Sequence, residues 1–592
     1  MKRLMRVFAY GAIVFFGCEK SRKPSPVVLT ADYLALQQAA ERFTPAIGGY
    51  GGELVLPLLS EPSSLNPLTA TDPAAAELTR HMYEGLVRID GVTLKPRPGL
   101  AQSWDMSPDG LSWTFHIRQG LQWSDGAAFS ADDVEFTFNS LVLNDSINPN
   151  PSRDLFIIDG VKPVIKVMDS LTIRFTLAAP HAPFPRKMSQ EILPRHKLLR
   201  SMQRGMFFAA LRLQTPPDSF VGMGPFMPEL VVPSQKIIFK RNPLYWQKDS
   251  AGNRLPYLDR IVYMKVPNHG AEVQRFKRGE LDYLMAAGDD CAGLEKDSAK
   301  GHYTIHRIGP ATGSSFLIFN QNSGVEKISG KSYGDSVKLS WFRNTAFRKA
   351  VAYGLDKQTM LRTAMNGMGF PQWSPMSPAD GFFYNPDVAR YDYDTAKAKE
   401  VLRSAGFSFR ADGACVDAGG HPVEFSFATS GGNVMRAKIA DAVRRNLEQL
   451  GFKVHFQVMN FSDLVQKIDN PPYDWDAAFL GLSGGVEPHY GLKVWRSSGE
   501  MHMWFPNQKT PATPWEASID SIFDAAAREL DESKRKALYD RWQRIAAEQL
   551  PLIATVLPER IVCIAGKFKN VNPCVTSGLL HSMERLYVQQ VK

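Results

Sequence analysis

Residues 98–138, PGLAQSWDMSPDGLSWTFHIRQGLQWSDGAAFSADDVEFTF, decide how the rest of the chain is read. From Leu111 to Arg118 the side chains alternate, with Trp113, Phe115 and Ile117 on one side and Thr114, His116 and Arg118 on the other. A period of two is that of a strand buried on one face. Leu121 to Trp123 predicts a second short strand, and Ser124-Asp125-Gly126 carries turn chemistry. Ser130-Ala131-Asp132-Asp133 has the spacing of a capping box, opening a helix with Val134, Phe138 and Leu141 on one face. The acidic pair Asp132-Asp133 is thereby explained by a helix N-terminus, which favours negative charge, without any chemistry.

At 592 residues the chain is too long for one core, so two or more domains are expected. Its 44% apolar and 22% charged residues are ordinary for a globular protein. A net charge of +9, from 69 basic and 60 acidic residues spread without long blocks, argues against nucleic acid as a partner. Lys2, Arg3 and Arg6 precede an apolar run from Val7 to Phe16, too short to span a bilayer, which is the pattern of an export signal. Cys291, Cys415, Cys563 and Cys574 remain after Cys18, an even set that permits disulfides in an exported protein, with Cys563 and Cys574 the first pair to test. No Cys-x-x-Cys, no His-Glu-x-x-His and no close histidine cluster occurs, so neither a metal site nor a cofactor is expected.

Strand and helix patterns alternate along the chain, an α/β architecture with several open sheets. Glu53 to Leu59 reads as a strand, Glu77 to Leu86 as a helix, and Val423–Ala428, Val434–Leu450 and Lys453–Met459 as a βαβ unit. Asp356 and Asp394 each stand where a helix N-cap is needed, and Glu529 to Gln549 is a charged amphipathic helix. The Pro-rich stretch from Pro180 to Pro217 reads as a boundary region.

The opening stretch, together with Leu65-Asn66-Pro67, HMYEGLVRID at 81–90, VGMGPF at 221–226, RNPLYW at 241–246, LPYLDRI at 255–261, RGELD at 278–282 and FRKAVAYGLD at 347–356, resembles, block by block and in order, the bacterial family 5 extracellular solute-binding proteins. The resemblance covers about residues 50 to 590. It implies a two-lobe, periplasmic-binding-protein-like fold of type II, the large peptide-binding class, with an extra subdomain inserted in lobe I. The expected division is a signal peptide at 1–18, a tether at 19–48, lobe I at 49–92, 219–313 and 551–592, the inserted subdomain at 93–218, and lobe II at 314–550. Gly17-Cys18 resembles the end of a lipobox, which makes Cys18 the expected lipidated residue and the outer face of the membrane the expected location. The implied function is that of a receptor, not an enzyme: it captures an oligopeptide or peptide-like solute and, as a monomer, hands it to an ABC permease. No G-x-x-x-x-G-K-[ST] is present, so the ATPase is expected on another chain.

Several positions are candidates for the ligand. Glu61, Ser63 and Ser64 follow the first strand and, by family analogy, face the cleft. Thr429, Ser430 and Gly431 lie between a strand and a helix start, where backbone N–H groups favour an anion such as a substrate carboxylate. Trp373 and Trp475 are aromatic candidates for the cleft wall, with core packing the competing explanation. Ser483, Gly484, Gly485 and Glu487 lie in a loop after Tyr473-Asp474 that resembles the one where peptide receptors of the family place an acid against the ligand's ammonium group. Here the expected acidic position is Gly484 and the nearest acid is Glu487. Either Glu487 substitutes, or the ligand is not an ordinary peptide but a nickel chelate, haem, opine or oligosaccharide. Gly481-Leu482-Ser483-Gly484-Gly485 also satisfies G-x-S-x-G, so an exported serine hydrolase using Ser483 is the remote alternative, disfavoured by Pro488 and Gly491 where a helix should follow.

Overall fold

The computed structural model describes residues 38–589 apart from 71, 148–149, 151, 299, 301, 327–329 and 580. The export signal, Cys18 and most of the tether therefore lie outside the described residues.

The opening stretch builds an antiparallel sheet ordered Ala101–Met106, Ser112–Ile117, Thr172–Thr176, Val164–Asp169. Trp113, Phe115 and Ile117 are buried, as the alternation requires, and Phe115 meets Phe175 edge-on with ring centroids 5.8 Å apart. Ser130 and Asp133 form the reciprocal capping box, and the helix Ala131–Glu135 widens into π-turns over Phe136–Val142. The strand expected at Leu121–Trp123 does not form. Gln122 makes only a single bridge to Ala128, because the turn at Gly126, with φ of +89°, folds the chain back after one residue pair. Trp123 is buried and donates its indole N–H to Asp133 at 3.3 Å.

Lobe I carries a mixed sheet ordered Glu53–Leu58, Arg260–Lys265, Lys236–Arg241, Phe226–Val232. Beside it, Val556–Ala565 lies between Tyr283–Ala286 and Tyr303–Pro310 and also pairs with Gly369–Pro371. Lobe II is built on a sheet ordered Lys453–Met459, Glu424–Ser430, Ala477–Leu482, Ser314–Phe319, Leu552–Ala554. The expected βαβ unit is there: Glu424–Ser430 and Lys453–Met459 run parallel, and Val434–Gln449 between them buries Ile439, Val443 and Leu447. Along Ser314–Phe319, Leu317 and Phe319 enter one apolar cluster and Phe316 and Ile318 the other, so this sheet is covered on both faces.

Two helices start later or earlier than expected because a capping carboxylate, not the apolar period, sets the start. Asp72 accepts from Ala75 N and begins Pro73–Met82; Asp531 accepts from Lys534 N at 2.9 Å and begins Glu532–Gln549. All four described cysteines are free thiols. Cys563 packs with Cys291 in an apolar cluster of lobe I, whereas Cys574 lies against Thr576, Ser577 and His581.

Two short connections join the lobes. Tyr303–Pro310 continues into Ser314–Phe319 through Ala311–Gly313, and Leu552–Ala554 continues into Val556–Ala565 through Thr555. Thr555 donates both its N–H, at 2.9 Å, and its hydroxyl, at 2.8 Å, to Ser315 O, so the crossings are tied side by side. A few residues at the ends of strands are the kind of segment that absorbs a hinge rotation.

Candidate functional site at the junction of the lobes

A cavity of about 330 Å³ opens where Ala477–Leu482 ends and Ser314–Phe319 begins, against the crossing at Gly313. The C-terminal ends of strands in an open α/β sheet are where such folds place ligands. Ser483, Gly484, Gly485 and Glu487 line the cavity, with Phe316, Asp380 and Trp542 among the other walls.

The geometry explains why residue 484 is glycine. A Cβ there would sit 2.1 Å from Gly313 N and 2.7 Å from Gly313 Cα. Gly313 has φ of +95°, and a Cβ on it would in turn meet Leu482 O at 2.3 Å. The loop lies directly on the crossing backbone, so an acid at 484 is excluded sterically.

Glu487 is buried and its charge is already matched. Arg535 donates to both of its carboxylate oxygens, once at 3.0 Å, and Arg186 approaches at 3.5 Å from the helix Phe184–Lys187. The carboxylate also accepts from His489 N at 3.1 Å. Arg535 comes from Glu532–Gln549 and stacks on Phe383 and Tyr539. Burial, the largest single influence, would lower its pKa, but Glu487 and Tyr539 together outweigh it and the net shift is upward. Burial pushes Lys187 down to about 7 and His489 down to about 3. Nearby, Ala182 N donates to Ala527 O at 2.8 Å, and Arg528 pairs with Asp159 at 3.0 Å. The 159–186 segment is thus bonded to lobe II.

Asp380 differs from Glu487. It lies in the 3-10 turn Pro378–Phe383, where Oδ2 accepts from Ser377 N at 2.8 Å and closes a capping box. Its other oxygen, Oδ1, is buried without a partner, as is Trp542 Nε1. Burial pushes the Asp380 carboxyl up to about 7.

A second cavity, of about 380 Å³, also reaches the crossing, at Ala311. Lobe I lines it with Gly288, Asp289 and Arg560, and lobe II with Val434, Met435 and Lys438. Arg560 Nε has no partner; nor does Nε of nearby Arg436, whose guanidinium lies 2.6 Å from where a Gly481 Cβ would be. Lys438 and Asn366 reach across to Asp289 at 3.3 and 3.0 Å.

The remaining candidate positions lie elsewhere. Glu61 is exposed and accepts from Ser234 N; Ser63 donates to Asp72 at 2.5 Å, and Ser64 to Leu211 O at 2.9 Å. Thr429 is buried and donates to Phe479 O at 3.1 Å, while Ser430 is buried and Gly431 is exposed with its N–H on Met459 O. Trp373 is half-buried under Lys357 and Arg390, and Trp475 packs in an apolar cluster of lobe II. None of these eight lines the junction cavity. Ser483 is exposed at its mouth, followed by loop and the 3-10 turn Pro488–Gly491, not by the helix of a nucleophile elbow. Sequence reasoning missed Asp380, Arg186 and Arg535. Ser377-Pro378-Ala379-Asp380 reads only as a cap, and a lone arginine in a charged helix reads as a solvated face.

Two lobes, two short crossings and a largely apolar cavity beside the crossing at Gly313 define a binding protein of the hinged-clamp class. The chain belongs to the bacterial extracellular solute-binding proteins, family 5, whose middle region matches residues 95–502. It is 26% identical over 521 residues to a probable ABC transporter-binding protein of Deinococcus radiodurans, spanning 84% of this chain and 85% of that one. It is 25% identical over 507 residues to the oligopeptide-binding protein AppA of Bacillus subtilis, again 84% and 85% of the two chains. The solved structure of AppA in complex with a nonapeptide shares the fold with a TM-score of 0.69 at 22% identity, covering 92% of this chain and 100% of that one. The chain is accordingly a binding protein and not an enzyme. Among the described residues no helix is long and apolar enough to cross a membrane.

Proposed function

We propose that this chain is the exported receptor of an ABC importer, holding an oligopeptide or peptide-like solute between its lobes and delivering it unaltered to a membrane permease. The observation that carries this reading is that the junction cavity touches one crossing at Gly313 and the strand ends Ser314 and Ala554 that adjoin both crossings, so filling it acts on the angle between the lobes. A ligand there meets the backbone of Ser483–Gly485, which offers main-chain hydrogen bonds without reading side chains. The second cavity, with Arg560 and Lys438, extends the path past the crossing and suits the carboxylate end of an extended ligand. The division of the chain at 92–93, 218–219 and 313–314, with the boundary expected at 550–551 moved to Thr555 because Leu552–Ala554 pairs in the lobe II sheet, together with lipidation at Cys18 and a monomeric state, completes the proposal.

The test is native mass spectrometry of the protein purified from its host, followed by calorimetry with the molecules found. Mixed short peptides support the reading. A single nickel chelate, haem, opine or oligosaccharide establishes the second reading, which the steric exclusion of an acid at 484 favours.

A further inference from the structure

Two buried carboxyl groups border the junction cavity, and only one has an oxygen to spare. Glu487 is saturated by Arg535, Arg186 and the His489 N–H. Asp380 is 3% exposed, uses Oδ2 on Ser377 N, and leaves Oδ1 unpaired at the cavity wall. An unpaired carboxylate in an apolar surround is costly unless it is neutralised or a donor reaches it. Phe316, Met376, Val494 and Trp495 supply that surround, and among the described residues no cation is bonded to Asp380. The turn that holds it is fixed on both sides. Ser377 donates its hydroxyl to Ala311 O in the crossing at 2.7 Å, and a Cβ on Gly381 would touch Leu94 at 3.1 Å.

We propose that Asp380 is the specificity-determining residue of this cavity and that its open oxygen receives a protonated amine of the ligand. The inference rests on the receptor reading above and adds the class of solute: one with a cationic nitrogen at the end that enters here. The position at 484, closed to any side chain by Gly313, does not compete for that role. Binding replaces the missing partner of Asp380 next to the crossing, so the ligand's charge and the lobe angle are read at one place.

The experiment compares three probe pairs by calorimetry on the full chain: trialanine, trilysine and spermidine, each against its fully N-acetylated form. Wild-type protein is expected to bind the amine of at least one pair about 10- to 100-fold more tightly, the range of a hydrogen bond to a charged group. In Asp380→Asn and Asp380→Ser, both able to keep the cap on Ser377, that preference is expected to fall to within about threefold. Discrimination lost in both variants supports the proposal. Equal binding of amine and acetylated forms by the wild type overturns it without recourse to any variant, as does discrimination that survives both substitutions. Peptides bound without discrimination leave the receptor reading standing and remove Asp380. Spermidine alone bound, in an Asp380-dependent way, keeps Asp380 and removes the peptide. No binding in any pair removes both.

Discussion

Glu487→Gln isolates the buried ion cluster that ties the 159–186 segment to lobe II. The substitution conserves shape and removes one negative charge from a site shared by Arg535 and Arg186, which are at most 9% exposed at their side chains. Glutamine keeps one acceptor, enough for the His489 N–H or one arm of Arg535, and turns an NH₂ toward the other guanidinium nitrogen, now held at 3.0 Å from Glu487 Oε2. Two buried guanidinium groups then face each other without the carboxylate they share, with Glu532 the remaining carboxylate that acts on Arg186. Breaking a buried pair by removing one partner costs about 3–5 kcal/mol. Because one hydrogen bond survives, the lower end, about 3 kcal/mol, is expected here. The assay is urea denaturation followed by tryptophan fluorescence, paired with small-angle scattering of the ligand-free protein to detect separation of the lobes. Arg186→Met, alone and in the double variant, completes a cycle whose coupling term of about 1–3 kcal/mol measures the bridge between the two segments. A loss below about 1 kcal/mol for Glu487→Gln, with scattering unchanged, refutes the argument that this carboxylate is charge-matched and buried.

Asp380 gives a pH dependence with a definite sign. Its folded carboxyl is raised from 3.8 to about 7, so the folded state holds the proton more tightly than the unfolded chain. The stabilisation is complete below pH 4 and is lost as pH rises through about 7, by about 4 kcal/mol at most. Thermal melts of ligand-free wild type should fall across that window while those of Asp380→Asn stay flatter; parallel curves count against it. Cys574 has the opposite sign: despite burial, neighbouring His581, with Ser577 and Thr576, holds the thiol down to about 6, while His581 Nε2 bonds Asn572 O at 2.6 Å. Alkylation by iodoacetamide should therefore have its midpoint near pH 6 and move up toward about 8.5 in His581→Gln. A wild-type midpoint near 9 removes the imidazolium–thiolate pair. Gly484→Ala should destabilise by about 1–3 kcal/mol through forced overpacking, read as a lowered Tm; an unchanged Tm means the crossing yields more easily than its geometry implies.

Much of the frame is legible in the sequence because local rules and the fold agree. Trp113, Phe115 and Ile117 announce their strand by alternation, and Lys453–Met459 is found at its expected ends. Where local signals mislead, a nearby constraint has won. Leu121–Trp123 has strand composition, but the Gly126 turn leaves no length to pair. Of the site, the loop from Ser483 to Glu487 could be picked out from its glycines and its place after an apolar strand. Asp380 could not, because a capping box gives no hint of what lies on the far side of its carboxyl. Arg186 and Arg535 could not, because they meet Glu487 across 301 and 48 residues of chain, and only the folded topology sets that meeting.

The contact of Gly484 on Gly313 couples two positions 171 residues apart into a single backbone-to-backbone joint. Neither residue is free to acquire a side chain while the other stays put, so selection for a new guest molecule is barred from the point where the loop touches the linker. Novelty has to come from a neighbouring turn, such as the one at 377–383. A relative that carries a side chain at the place of Gly484 must therefore run its linker along a different line, and superposed backbones would show the displacement directly.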